Sequence, residues 1–194
     1  MNDHSNLFVE EADMLLTILN QQRHDWLNHF QVLLGYLKLG RPEEGETYLT
    51  RVTELARQES LLTRINCPPL SSFFLTFHAL HNDLCLEVEL YNDIDLSKVQ
   101  KDQLSLFQFI YQLIMLVKNS FPKGSMETNS LLVTLESLPE AIQIQLELSA
   151  GLPASAQLEL EKLLESELAQ GVTIQTRNQR EEEWCLELNL PYRM

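Results

Sequence analysis

The fold of this chain is decided by residues 23–49, RHDWLNHFQVLLGYLKLGRPEEGETYL, in which one amphipathic helix ends and a second begins. Before this junction, large apolar side chains recur at steps of three and four residues, which is the spacing of one helix face. This apolar seam includes Leu15, Leu19, Trp26, Phe30, Leu33 and Leu37. At 1.5 Å per residue, a helix over residues 7–39 would be roughly 50 Å long.

The junction carries the signals that end one helix and start the next. Gly40 suits the left-handed position that closes a helix, and Pro42 suits the first turn of the following one. Three glutamates after Pro42 complement the positive end of the second helix dipole. Apolar residues at helical spacing then continue until the prolines at 68 and 69. The short connection predicts an antiparallel helical hairpin.

Two helices side by side leave part of each apolar face uncovered. Leu16, Leu27 and Leu34 flank the seam of the first helix and widen it beyond what one neighbour can cover. The economical solution is a second copy of the chain, because two hairpins around a two-fold axis form a four-helix bundle with a large apolar interface. We therefore predict a homodimer in which residues 1–66 form the dimerisation and functional hairpin.

The remaining residues, 67–194, change to a mixed pattern. Alternating apolar and polar side chains predict strands over 84–91, 130–137, 141–149, 172–177 and 183–190. Helical spacing predicts helices over 71–83, 96–120 and 154–169. Helices interspersed among adjacent strands favour an α/β sandwich with helices on one face of a sheet. The predicted fold class is therefore α+β, a helical hairpin followed by this sandwich.

Composition and charge exclude several classes of function. The net charge of −14 argues against nucleic-acid binding, because contacts to phosphates need clustered Lys and Arg. Cys67, Cys85 and Cys185 are far apart in the sequence and indicate neither a disulfide framework nor a zinc site. The N-terminus does not read as a signal peptide, and the most apolar stretch is too short to cross a bilayer. These features predict a cytoplasmic protein without a membrane or nucleic-acid partner.

His24 is the polar residue that the apolar pattern does not explain. At 100° per residue it lies about 160° from Trp26 of the seam, so it should point to solvent. An exposed imidazole changes charge near physiological pH and is a competent nucleophile towards an acyl phosphate. Asn28, one turn later, is placed to orient the ring or to donate to a transferred phosphoryl oxygen. The alternative is an ordinary solvated histidine, and spacing alone does not decide between them.

The surface around His24 has the pattern of a docking site. Steps of four and three from His24 give Asn28, Gln31, Gly35 and Lys38, a stripe without a large apolar side chain. Gly35 is costly inside a helix but leaves room for another protein's backbone. Leu27 and Leu34 beside the stripe are candidates for the apolar centre of the contact, with Arg23, Gln31 and Lys38 on its rim. That both leucines belong to the bundle core is an equally open interpretation.

The residues quoted above, from RHDW to TYL, resemble the phosphoacceptor helix of the sporulation initiation phosphotransferase B family. The likeness continues through SFFLTFHALHNDLCLEVELYNDIDLS and the helix after it, and beyond about residue 120 only the architecture is similar. A related pattern occurs in citrate- and dicarboxylate-sensing histidine kinases. His29 departs from the family pattern, in which a lysine is expected, and so weakens any role for a fixed cation there.

The resemblance implies a fold and a function. The family fold is a dimeric four-helix bundle flanked by degenerate kinase-like domains, and the family relays phosphoryl groups in sporulation. The histidine at the position of His24 takes phosphate from the aspartate of one response regulator and passes it to the aspartate of another. The chain would then need no cofactor or metal of its own, since response regulators bring Mg²⁺ beside the phosphorylated aspartate.

Two other functions remain open from the sequence. The chain could be a histidine kinase with a divergent ATP site, or a non-enzymatic dimeric scaffold that binds response regulators. Against a kinase, the six glycines form no G-x-G box, and no full asparagine-box match surrounds Lys118 and Asn119. His78 and His81 are spaced for a metal but have no third ligand in the sequence pattern. We therefore predict a kinase-like second domain, residues 67–194, without nucleotide or metal binding.

Because the sequence lacks the glycine boxes of a kinase, we predict that the protein does not bind ATP. Titration of the protein with ATP and Mg²⁺ in a calorimeter should give no binding heat, because the sequence lacks the glycine-rich boxes whose backbone N–H groups approach the phosphates. A functional histidine kinase serves as the positive control. Saturable binding of ATP would instead support the kinase interpretation.

Overall fold

The computed structural model describes residues 3–81, 83–121, 129–168, 171–179 and 183–193. Within these ranges the chain forms five α-helices and five β-strands, with helices alone at the N-terminus and the sheet in the C-terminal part. The predicted α+β class is confirmed. The chain divides into two compact units, Met1–Arg57 and Gln58–Met194.

The first unit contains the predicted hairpin. Helix α1 spans Asp3–Lys38, and helix α2 spans Pro42–Leu62. Gly40 has a φ of 66°, the left-handed conformation that glycine adopts without steric cost. The backbone N–H of Arg41 donates to the carbonyl of Tyr36 at 3.0 Å and closes the end of α1. The sequence signals at this junction therefore act as predicted.

One side of α1 contacts α2 through a small aromatic cluster. His29 Nδ1 lies 2.7 Å from the Tyr48 hydroxyl, and the rings of Tyr36 and Tyr48 are 6.1 Å apart. Gly45 of α2 is buried, and a Cβ built on it would lie 3.4 Å from the Tyr36 Cβ and 3.5 Å from Leu33 Cδ1. The small residue thus allows the two helices to approach closely.

Much of the apolar surface of the hairpin stays exposed in a single chain. Phe30, at the middle of the seam, is 59% exposed. The other large apolar side chains exposed on the two helices are Met14, Leu15, Leu16, Leu19, Trp26, Leu27, Val32, Leu34, Leu37, Leu39, Leu49 and Leu55. Contiguous apolar surface of this extent marks an interaction site in soluble proteins.

The end of α2 belongs to the second unit. Leu62 and Ile65 are buried in the core of that unit. The Ser71 hydroxyl donates to the Leu62 carbonyl at 2.7 Å, and the Gln58 side-chain carbonyl accepts from the backbone N–H of Leu90 at 3.1 Å. The division between units therefore falls before the predicted boundary at 66/67, because the last turn of α2 packs with residues of α3 and β1.

The second unit contains the mixed elements expected from the sequence. Its helices and strands are α3 (Pro68–Leu80), β1 (Cys85–Tyr91), α4 (Gln103–Asn119), β2 (Ser130–Ser137), β3 (Ala141–Leu148), α5 (Ala154–Leu168), β4 (Thr173–Gln179) and β5 (Trp184–Pro191). Residues 82 and 169, which fall within predicted helices, lie outside the described residues. Each predicted strand corresponds to an observed one.

The five strands form one sheet in the order β1-β2-β3-β5-β4. Strands β1 and β2 are parallel, and the other neighbouring pairs are antiparallel. Alternate residues of β2, β3 and β5 are buried together with the apolar faces of α3, α4 and α5. The core of this two-layer sandwich therefore lies between the helices and one face of the sheet.

The predicted helix over 96–120 was wrong at its start. Residues Leu96–Lys98 form a short 3₁₀ helix, and α4 begins only at Gln103. The Asp95 carboxylate accepts from the Ser97 backbone N–H, and the Asp102 carboxylate accepts from two N–H groups of the first turn of α4. Two aspartate caps close together in the sequence start two separate helices, where apolar spacing alone suggested one.

Gly35 lies in the last turn of α1 with open space around it. A Cβ built on Gly35 meets nothing within 4 Å, in contrast to Gly45. The backbone of Gly35 is helical, so its lack of a side chain serves neither a turn nor a close contact between α1 and α2.

Gly35→Ala is therefore expected to raise the free energy of unfolding by about 0.5–1 kcal/mol, because alanine loses less backbone entropy in a helix. Urea denaturation followed by circular dichroism measures the change. Gly45→Leu, which inserts a large side chain between the helices, is the matched control and should destabilise the protein. A Gly35→Ala variant less stable than wild type would show that something occupies the space beside Gly35.

Candidate functional site

His24 lies on the outer surface of α1, away from α2. Its side chain is 67% exposed. The stripe residues Asn28, Gln31 and Lys38 are exposed on the same helix. The imidazole is thus held by one rigid element and is open to a visiting molecule.

Two polar side chains approach one nitrogen of the His24 ring. The Asn28 amide nitrogen, Nδ2, lies 3.1 Å from Nδ1 of His24. The Asp25 carboxylate oxygen Oδ1 lies 3.5 Å from the same Nδ1. Among the residues that the structure describes, Nε2 of His24 has no hydrogen-bond partner. The ring therefore has one nitrogen in polar contact and one nitrogen that is available.

Two tautomers of His24 fit this geometry. With the proton on Nε2, the Asn28 amide N–H donates to Nδ1. With the proton on Nδ1, that N–H donates to Asp25 or, after a half-turn of the amide group, to the Asn28 carbonyl oxygen. An ionised carboxylate accepts hydrogen bonds and cannot donate them, so Asp25 favours the second tautomer. In that tautomer the lone pair of Nε2 points outward and can act as a nucleophile.

Asp25 was not among the predicted site residues, because on a helix it projects about 100° from His24, although from the sequence it could still hydrogen-bond a rotated imidazole from the side. The structure nevertheless brings its carboxylate to the side of the ring. Gln21 Nε2 donates to Asp25 Oδ1 at 3.0 Å, across one helical turn. The i,i+4 spacing of Gln21 and Asp25 indicates the hydrogen bond between these two side chains but does not show the approach of Asp25 to His24.

The predicted docking residues all lie on α1 around His24. Leu27 is 52% exposed and Leu34 is 50% exposed. The Arg23 guanidinium donates to the Asn20 side-chain oxygen at 2.6 Å. The structure therefore places the Arg23 cation and Leu27 within one turn of His24, whereas Leu34 and the open backbone at Gly35 lie about three turns further along α1. Whether the leucines form core or docking surface stays open, since both are exposed in a single chain.

His29 does not take part in the His24 site. It lies about 140° around the helix from His24, and its Nδ1 contacts the Tyr48 hydroxyl of α2 instead. Its ring also lies against Trp26, with centroids 6.0 Å apart. The departure from the expected lysine therefore falls at the contact between the helices rather than beside His24.

His78 and His81 make separate contacts in the second unit. His78 Nε2 lies 2.7 Å from the carbonyl oxygen of Leu86, and the His81 ring packs on Phe77 at 4.7 Å. Burial, followed by the nearby Lys118 ammonium, lowers the pKa of His81. Among the described residues, no group of three His, Cys, Asp or Glu side chains is arranged to hold a metal ion.

Lys118 lies in the last turn of α4, next to Asn119, where the helix ends. Lys118 is 8% exposed, and its Nζ lies 3.0 Å from Asp83 Oδ2. The hydrogen bond from Lys118 is the main reason that the pKa of Asp83 is lowered. The buried ammonium is therefore neutralised within the fold, as expected for a structural ion pair.

None of the helices in the described ranges has the length and apolar character that a bilayer crossing requires.

Comparison with known families covers nearly the whole chain. Residues 4–65 match the α-helical domain of the sensor kinase SpoOB type, and residues 66–191 match the C-terminal domain of sporulation initiation phosphotransferase B. The sporulation initiation phosphotransferase B of Bacillus subtilis (strain 168) is 30% identical over 100 residues, which cover 51% of this chain and 52% of the relative. The chain therefore spans about half the length of the curated relative that it matches.

Solved structures of histidine kinases are more distant. The Acinetobacter baumannii histidine kinase AdeS is 14% identical, with a TM-score of 0.48 over 88% of this chain and 98% of that one. Histidine kinase ThkA, in its complex with the response regulator protein TrrA, is 17% identical, with a TM-score of 0.44 over 95% of this chain and 64% of that one. The family assignment rests instead on the two domain matches, and it confirms the resemblance seen in residues 23–49. The chain belongs to the sporulation initiation phosphotransferase B family.

Proposed function

We propose that this chain is a phosphorelay histidine phosphotransferase that acts in the initiation of sporulation. In this proposal it takes a phosphoryl group from the aspartate of one response regulator onto His24 and gives it to the aspartate of another. The observation that carries the proposal is the exposed His24 ring, whose Nδ1 faces Asn28 and Asp25 while Nε2 is available. Membership of the family supports a phosphotransfer role.

The forward step forms one bond and breaks one bond. The lone pair of His24 Nε2 forms a bond to phosphorus, and the bond from phosphorus to the regulator's aspartyl oxygen breaks, so its electron pair returns to that carboxylate. The proton stays on Nδ1, where the Asp25 carboxylate offsets the positive charge that develops on the imidazole. Transfer to the second regulator is the same step in reverse.

Asn28 has two functions available in this step. Its amide lies one turn after His24 and contacts Nδ1, so it limits rotation of the ring. After a half-turn of the amide that brings its carbonyl oxygen to Nδ1, the N–H groups lie at the other end and can donate to a phosphoryl oxygen. We assign Asn28 to orienting the ring: with its amide turned so that the carbonyl oxygen faces Nδ1, it accepts the Nδ1–H that the mechanism retains.

The regulator would bind along α1. Leu27 and Leu34 supply apolar contact area, and Gly35 leaves space for an approaching backbone. Arg23, Gln31 and Lys38 surround this area with groups that pair with the acidic residues typical of a phosphorylation pocket. Mg²⁺ would be supplied by the regulator, where it offsets charge on the phosphoryl group.

A homodimer completes the proposal. The exposed apolar seam around Phe30 lies on a different arc of α1 from His24, so a second copy can cover the seam without covering the imidazole. A four-helix bundle of two hairpins buries such seams in its centre. Dimerisation and access to His24 are therefore compatible on the same helix.

The phosphotransfer function is tested by label transfer from a ³²P-phosphorylated response regulator. Wild-type protein should acquire an acid-labile, base-stable label, because a phosphoramidate hydrolyses in acid. His24→Gln should reduce the label to background, whereas the control His81→Gln should retain it. Full labelling of His24→Gln would remove His24 from the mechanism, and tight regulator binding without any label would favour a scaffold.

The dimer is tested by light scattering. Wild-type protein should have twice the 22.5 kDa mass of the chain. Phe30→Glu, which places a charge in the apolar seam, should shift the protein to monomer, and the control Gln31→Glu on the exposed stripe should remain dimeric. A stable 22.5 kDa wild-type particle would contradict the bundle.

A further inference from the structure

Gln21 is the polar residue nearest to the His24 site that the proposed mechanism does not use. It lies one turn before Asp25, and its amide nitrogen Nε2 donates to Asp25 Oδ1 at 3.0 Å. That oxygen is the same atom that lies 3.5 Å from His24 Nδ1. One carboxylate oxygen thus joins the Gln21 amide and the imidazole in a short chain of hydrogen-bonding groups.

Because Asp25 is exposed, its hydrogen bond with Gln21 matters for where the carboxylate lies. The Asp25 side chain is 50% exposed, so little packing restricts its rotation. On a helix it projects about 100° away from His24, and many of its rotamers would carry the carboxylate off the ring. A Gln side chain at i and an Asp at i+4 form a favourable pair on a helix surface. Gln21 is therefore the described contact that holds Asp25 Oδ1 beside Nδ1.

We propose that Gln21 is a positioning residue for phosphotransfer, which acts on His24 only through Asp25. This role rests on the proposed function. By holding the carboxylate, Gln21 keeps the proton of the imidazole on Nδ1 and leaves the lone pair on Nε2. It does not touch the phosphoryl group or the docking leucines, so it influences the rate of transfer and not the affinity for the regulator.

The first test measures single-turnover transfer from a phosphorylated regulator at increasing regulator concentration. Gln21→Ala should lower the limiting rate by about two- to fivefold, the effect of losing one hydrogen bond, with an unchanged concentration for half-maximal rate. Gln21→Lys, which restores a donor of sufficient length, should recover the rate. Thr17→Ala, on the same face two turns before His24, is the control for changes in the helix and should match wild type.

The decisive comparison uses the Asp25→Ala background. There, Gln21→Ala should have no further effect on the rate, because Gln21 has no carboxylate left to hold. An equal loss in both backgrounds would overturn the positioning role, as would a Gln21→Ala variant with the wild-type rate. A change confined to the half-maximal concentration would place Gln21 in the docking surface instead, which also contradicts the proposal.

A second test does not depend on transfer. The ¹⁵N chemical shifts of the His24 ring report which nitrogen carries the proton. In wild-type protein Nδ1 should be the protonated nitrogen, and Gln21→Ala should increase the fraction protonated on Nε2. An unchanged tautomer ratio would refute the proposal even if His24 accepts phosphate. If wild-type protein accepts no label at all, the proposed function fails, while the ring shifts still decide the role of Gln21.

Discussion

Helix α1 must bury one side and expose the other, and this constraint governs the rest of the structure. Its apolar seam needs to be covered, while His24, about 160° around the helix from Trp26, needs to remain in solvent. Contacts with α2 use a limited arc of α1, marked by His29, Leu33 and Tyr36. A second copy over Phe30 and its neighbours would satisfy the seam and leave the arc of His24 open.

The chemistry proposed for this helix requires few groups. An aspartyl phosphate is already a reactive donor, so the acceptor has to offer a neutral nitrogen in a fixed direction more than it has to activate the bond. Asn28 and Asp25 meet at Nδ1 and leave Nε2 to the partner. The surrounding surface then determines which proteins can approach. Because the chemistry needs only these few groups and the surrounding surface selects the partner, the candidate site can lie on one exposed helix rather than in a cleft.

The second unit has a buried ion pair at the C-terminal end of α4. Lys118 is buried there, and its Nζ lies 3.0 Å from Asp83 Oδ2. The ion pair therefore has a structural role within this unit. Its sheet and three helices are held by an extensive apolar core.

Much of the fold could be predicted from the spacing of apolar residues. This spacing has a period of two in the strands β2, β3 and β5 and a period near 3.6 in the helices α1 and α4. The start of α4 could not be predicted, since Asp95 and Asp102 each cap a separate helix and apolar spacing does not show the interruption between them. The boundary between the units was displaced because Leu62 and Ile65 carry the helical pattern of α2 yet pack in the second core. At the site, exposure of His24 agreed with helix geometry, whereas the approach of Asp25 depends on a side-chain rotamer, and rotamers cannot be derived from spacing.

The central claim is that Nε2 of His24 receives the phosphoryl group while Nδ1 remains protonated. The most direct measurement is a ³¹P and ¹⁵N NMR spectrum of the protein after phosphorylation by a response regulator, with the histidines ¹⁵N-labelled. The account predicts one phosphorus resonance coupled to Nε2 of His24. Coupling to Nδ1, or to a nitrogen of another histidine, would contradict it.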